Sequence, residues 1–152
     1  MRSTNMFKPS RWIPALATLL SLGTSHALAG NPPPNDLCVN AIVLTIGTSC
    51  TPVIGDVLDA TQSLPAIVCN TYTGNANDDV WYSFTATATA NTIDVTGSAS
   101  FDPVVELLQG GCGLGPVTLG CADATVGGGI ETIAASGLTI GSVYWIRVYD
   151  YS

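Results

Sequence analysis

The side chains in this sequence that could do chemistry are almost all carboxylates. Asp and Glu number 11, against four Lys and Arg and a single His, for a formal net charge of −7. Arg2, Lys8, Arg11 and His26 all precede Gly30. From Gly30 onward Arg147 stands alone against all 11 acids, with no Lys and no His, a formal net charge of −10. That inventory excludes a Ser-His or Cys-His nucleophile, a His-ligated zinc, and a basic patch for nucleic acid or anionic lipid. It leaves oxygen coordination of a hard cation, which calcium achieves with six to eight oxygens.

Two acidic pairs suit that role. Asn35-Asp36 and Asp78-Asp79 are both placed just ahead of apolar runs, and four oxygen-bearing side chains would converge if those starts lie side by side. Calcium at Asn35, Asp36, Asp78 and Asp79 is therefore one expectation. The competing one is that Asp and Asn in turns bond their own backbone. Glu106 and Glu131 are the only glutamates, and an acid-dependent hydrolase would have to use them, but nothing in their spacing fixes the separation a glycosidase pair needs. Asp94-Val95-Thr96-Gly97 has no second copy to make an aspartic protease, and the loops around Gly110 and Gly127 lack the Lys-Ser/Thr of a phosphate cradle.

A neutral ligand needs a different surface. In Val143-Tyr144-Trp145-Ile146-Arg147-Val148-Tyr149, strand alternation turns Tyr144, Ile146 and Val148 one way and Trp145, Arg147 and Tyr149 the other. The first set reads as core. The second reads either as a platform on which a sugar ring could stack, or as a face covered by a loop or a neighbouring domain.

The elements that would carry these residues are strands. Residues 1–29 read as a signal peptide: a basic start, the apolar run Trp12–Leu22, and Ala27-Leu28-Ala29 as the cleavage site. That run is too short to span a bilayer, and no second one follows, so no membrane insertion is expected. Residues 30–36 are a Pro-rich lead-in and 37–152 a single domain. Strands are expected at Ala41–Ile46, Pro52–Val57, Asp79–Ala88, Asn91–Thr96, Val104–Gln109, Val117–Cys121, Glu131–Ala135 and Val143–Asp150. Short runs at this spacing, with no amphipathic helix between them, argue for an all-β sandwich or barrel. The five Cys all follow the leader, so disulfides are expected. Cys112 and Cys121, flanking a Gly/Pro turn, are the expected pair.

Pro-Pro-Asn-Asp-Leu-Cys at 33–38, Asn-Asp-Asp-Val-Trp-Tyr-Ser-Phe-Thr-Ala at 77–86, Phe-Asp-Pro-Val-Val-Glu at 101–106 and Tyr-Trp-Ile-Arg-Val-Tyr-Asp at 144–150 resemble the pre-peptidase C-terminal type of domain. That is an extracellular module of large secreted bacterial proteins of the Bacteroidetes kind. The resemblance implies a jelly-roll-like antiparallel β-sandwich that is non-catalytic and adheres to polysaccharide or extracellular protein. It also implies calcium at Asn35, Asp36, Asp78 and Asp79, although Pro32-Pro33-Pro34 stands where the relatives carry further acids. It further implies one more Cys-bearing strand and downstream domains of the same parent chain after Ser152. Within this sequence it leaves one bond among Cys38, Cys50 and Cys69, and one free thiol. The expected product is a secreted or cell-surface binding module, with a structural spacer as the alternative and a hydrolase as a remote one.

Overall fold

The computed structural model describes residues 30–47, 49–112 and 115–152, so the signal peptide expected at 1–29 lies outside the described residues. The strands are β1 (Ile42–Val43), β2 (Val68–Cys69), β3 (Tyr72–Thr73), β4 (Val80–Thr85), β5 (Ala90–Thr96), β6 (Pro103–Gln109), β7 (Val117–Ala122), β8 (Ile130–Ser136) and β9 (Val143–Asp150). Five of them form one sheet in the order β1-β4-β9-β6-β7; β5 pairs with β8 in a second sheet, and β2 with β3 in a small hairpin. Every pairing is antiparallel except β1 with β4.

Alternation decides which sheet faces which. Along β5 and β8 the buried and exposed positions alternate, turning Ile93, Val95, Ile133 and Ala135 inward. They meet Val80 and Phe84 of β4, Val105 and Leu107 of β6, and Tyr144, Ile146 and Val148 of β9. Phe84 and Tyr144 are register partners and stack with ring centroids 5.7 Å apart. Full burial of side chains this size contributes roughly 1.5–3 kcal/mol each. The result is the expected all-β sandwich.

The five-stranded sheet is covered on its other face too. All of β6 but its last residue, and the run Ile146–Tyr149 of β9, are buried, a pattern of strands closed in from both sides. The cover is the chain from Thr61 to Ala76, which carries β2 and β3. Cys69 and Ala76 form a second core with Val104 and Tyr149, flanked by Ala66, Ile67 and Tyr151. Asn70 and Thr71 turn the hairpin with φ of 47° and 77°. A two-residue hairpin turn of this kind favours Asn-Gly, and Asn-Thr hides it in the sequence.

Several expectations change. Pro52–Val57 forms no strand, and Val53 and Ile54 stand exposed, because Pro, Gly and Asp interrupt the run and no edge receives it. Packing takes in Asn35 and Asp36, both buried, so part of the lead-in belongs to the fold.

The disulfides are not those expected. Cys38 pairs with Cys112 and Cys69 with Cys121, leaving Cys50 free and exposed. Cys112–Cys121 fails on geometry: Cys112 lies in the hairpin loop, whereas Cys121 lies down β7 opposite Glu106. Cys121 lies four positions beyond Val117, or about 13 Å of strand, beyond the roughly 7 Å that a disulfide spans. The pair expected among Cys38, Cys50 and Cys69 fails because two of these are taken by Cys112 and Cys121. The observed bonds span 74 and 52 residues, about 4 kcal/mol each in the chain-entropy model, against about 2–3 kcal/mol for the small loop. Non-reducing proteolysis with mass spectrometry will find Cys38 linked to Cys112 and Cys69 to Cys121, with Cys50 alone open to alkylation before reduction. A Cys112–Cys121 peptide would contradict this fold.

Candidate functional site

One rung of the large sheet collects the reactive side chains. Trp81 of β4 is opposite Arg147 of β9, Arg147 is opposite Glu106 of β6, and Glu106 is opposite Cys121 of β7. Residues in one rung share a face, and here it is the covered one. Asp79 precedes Trp81 by two positions and turns the same way. Arg147, Asp79 and Glu106 are 0–2% exposed.

A guanidinium taken out of water must find partners for all five N–H groups. Arg147 donates from Nη2 and Nε to Asp79 Oδ2 at 2.6 and 2.9 Å, and from Nη1 to Glu106 Oε2 at 3.4 Å. Nη1 also reaches the Pro65 carbonyl at 3.0 Å, and Nη2 reaches the Leu64 carbonyl. Its carbon sits 4.8 Å from the centre of the Tyr149 ring. The carboxylates are satisfied in turn. Asp79 accepts from Ser63 Oγ at 2.6 Å, from the Ser63 and Leu64 amides at 3.1 and 3.3 Å, and from Trp81 Nε1 at 3.2 Å. Glu106 accepts from Thr118 Oγ1 at 2.5 Å.

The other expected ligands are spent in the same way. Asn35 donates from Nδ2 to the Trp81 carbonyl at 3.0 Å, while its own carbonyl accepts the Trp81 amide. Asp36 holds the amide and hydroxyl of Thr61. Asp78 accepts the Asp150 amide at 3.1 Å, and burial raises its carboxyl above the ordinary range, with the charges of Asp150 and Asp79 adding to the effect. The structure thus uses Asn35, Asp36 and Asp79 to fasten the lead-in and the cover to β4. It does not gather them with Asp78 into one ligand set. Among the described residues no three Asp, Glu, His or Cys side chains are placed to hold a metal ion together.

Of the three platform residues, Arg147 and Tyr149 are fully buried, and the Ile67 amide donates to the Tyr149 hydroxyl at 3.4 Å. The covered-face reading is the correct one for both. Trp145 alone remains partly exposed, beside Gly111 of the β6–β7 loop. Glu131 sits apart from Glu106, fully buried at the start of β8, where it takes the amides of Ala124 and Thr125 at 2.8 and 2.6 Å and the Thr125 hydroxyl at 2.6 Å. The ion triad had one sequence signal: a lone Arg inside an apolar strand demands a buried counter-charge, and Glu106 inside Val104-Val105-Glu106-Leu107-Leu108 offers one.

Because each member satisfies the others, removing one strands the rest. Arg147→Met and Asp79→Asn will each cost about 3–5 kcal/mol in urea melts. In the Arg147→Met, Asp79→Leu double variant the loss will be much smaller than the sum of the single losses. Additive losses would show that the pair does not interact.

Among the described residues no helix is long and apolar enough to cross a membrane. The chain matches no curated protein and no solved structure at significant similarity. A family model described as Galactose binding domain-like, for domains associated with the type 9 secretion system, matches residues 34–152. The general expectation of a Bacteroidetes-type β-sandwich module agrees with this match; the pre-peptidase C-terminal type is not the family found. The match begins one residue before Asn35, where packing begins as well. On that coverage the chain belongs to the galactose-binding-domain-like family.

Proposed function

We propose that this chain is a non-catalytic module that binds carbohydrate on behalf of a larger exported protein. The family description supports a sugar ligand, and the secretion system in its name and two disulfides support an extracellular or cell-surface setting. The observation that carries the reading is the contrast on one face of the sheet. The residues able to act as acid, base or cation there are sealed under the cover and satisfied. Trp145, an indole able to stack on a sugar ring, remains partly open. Glu106 and Glu131 are both buried, bonded to different partners and without access to a substrate, which speaks against a hydrolase.

Retention of the purified protein on insoluble polysaccharides, with collagen-like protein as the peptide comparison, tests this directly. Trp145→Ala will lower retention at least tenfold with little change in melting temperature. Tyr149→Ala will lower the melting temperature instead. Absence of retention on every polysaccharide by a folded protein would favour a spacer role.

A further inference from the structure

The ion triad consumes the one basic side chain of residues 30–152, yet a second group of acids stands at the end of the sandwich with no cation at all. Asp102 precedes β6 and Asp123 follows β7. These strands are hydrogen-bonded neighbours, and Val105 is opposite Ala122, so the two acids flank the same end of the pair. Asp123 is 5% exposed. Its Oδ2, and Oδ1 of Asp102, are buried without any hydrogen-bond partner.

Their surroundings increase the negative charge. Asp150 Oδ1 accepts the Asp102 amide at 3.1 Å, which brings a third carboxylate alongside. Glu131 lies close enough to both acids to repel them. Burial first, and then these neighbouring charges, hold the Asp102 and Asp123 carboxyls above the ordinary carboxylate range. A carboxylate oxygen withdrawn from water costs several kcal/mol unless something positive meets it. Glu131 also positions the site: by accepting the amides of Ala124 and Thr125 it fixes the turn that directs Asp123.

We infer that Asp102 Oδ1 and Asp123 Oδ2 are ligands of a hard divalent cation of the calcium type, seated at the β6–β7 end of the sandwich. The donor set fits: two carboxylate oxygens without hydrogen-bond partners, with an excess of negative charge behind them. Asp150 keeps its oxygen on the Asp102 amide, and among the described residues no three acidic side chains are placed to hold the ion together, so water and main-chain oxygens would complete the shell. Affinity then falls in the weak class of extracellular modules, about 10⁻⁴–10⁻³ M. This site is separate from Asn35, Asp36, Asp78 and Asp79, and it does not depend on the sugar-binding reading.

Calcium titration by calorimetry and thermal melts in chelator or in 10 mM calcium chloride will test it on the full chain. Calcium is expected to raise the wild-type melting temperature by about 5 °C. Asp123→Asn and Asp102→Asn should each abolish that rise and the calorimetric signal. Asp123→Asn should also melt no lower than wild type in chelator, because it removes a repelled charge. Asp36→Asn, though less stable, should keep the calcium response. No wild-type response would overturn the inference. So would a response that survives both the Asp102 and Asp123 variants, or one lost in Asp36→Asn alone. Should Asp123→Asn fail to fold, loss or survival of the response in Asp102→Asn decides the matter by itself.

Discussion

The architecture turns on the neutralisation of one buried cation. Arg147 sits in the middle of the central strand of the large sheet, out of reach of water. Its charge can be held there only if carboxylates arrive from both sides and carbonyls arrive from above. Asp79 comes from just ahead of β4 and Glu106 from β6, the strands on either side of β9. The Leu64 and Pro65 carbonyls come from the cover. One side chain therefore ties together three strands and a stretch of irregular chain. Hydrophobic burial is non-directional and would not by itself specify where that stretch lies. The guanidinium, with donors in fixed directions, does.

This explains why a segment with so little regular structure is so well anchored. Among the segment's described residues between β1 and β4, only the four of β2 and β3 are in strands. Its main-chain groups near the sheet are met instead by side chains: Asp36 takes the Thr61 amide, Asp79 those of Ser63 and Leu64, and Tyr149 that of Ile67. An irregular segment can close over an apolar face only when its polar backbone groups are accounted for in this way. Asp36 and Asp79, two of the acids that look from the sequence like metal ligands, fasten this cover in three dimensions.

Much of the sandwich was legible because its strands are long and patterned. Alternation in β5, β8 and β9 placed Tyr144, Ile146 and Val148 on the core side correctly. What alternation could not reveal was whether the opposite face is wet or covered, because the covering segment has no period of its own. The hairpin at Val68–Thr73 was hidden by a turn without glycine, and Pro52–Val57 resembled a strand only in composition. The cysteine pairing depended on register: Cys112 and Cys121 are near in sequence but on different levels of the same hairpin.

The disulfides also constrain the order of events in folding. The two bonds overlap along the chain, each spanning one cysteine of the other. No two cysteines that are consecutive in the chain are bonded, so oxidation proceeding stepwise from the first cysteine would produce the wrong pairs. Correct partners meet only after β4, β6, β7 and the cover have assembled, and such long-range contacts are the slow ones to form. Covalent closure therefore acts as a latch on a finished fold rather than as a guide toward it. Producing this module in quantity is correspondingly a problem of thiol–disulfide exchange, in which mispaired bonds must be reopened until the sheet has chosen the pairs.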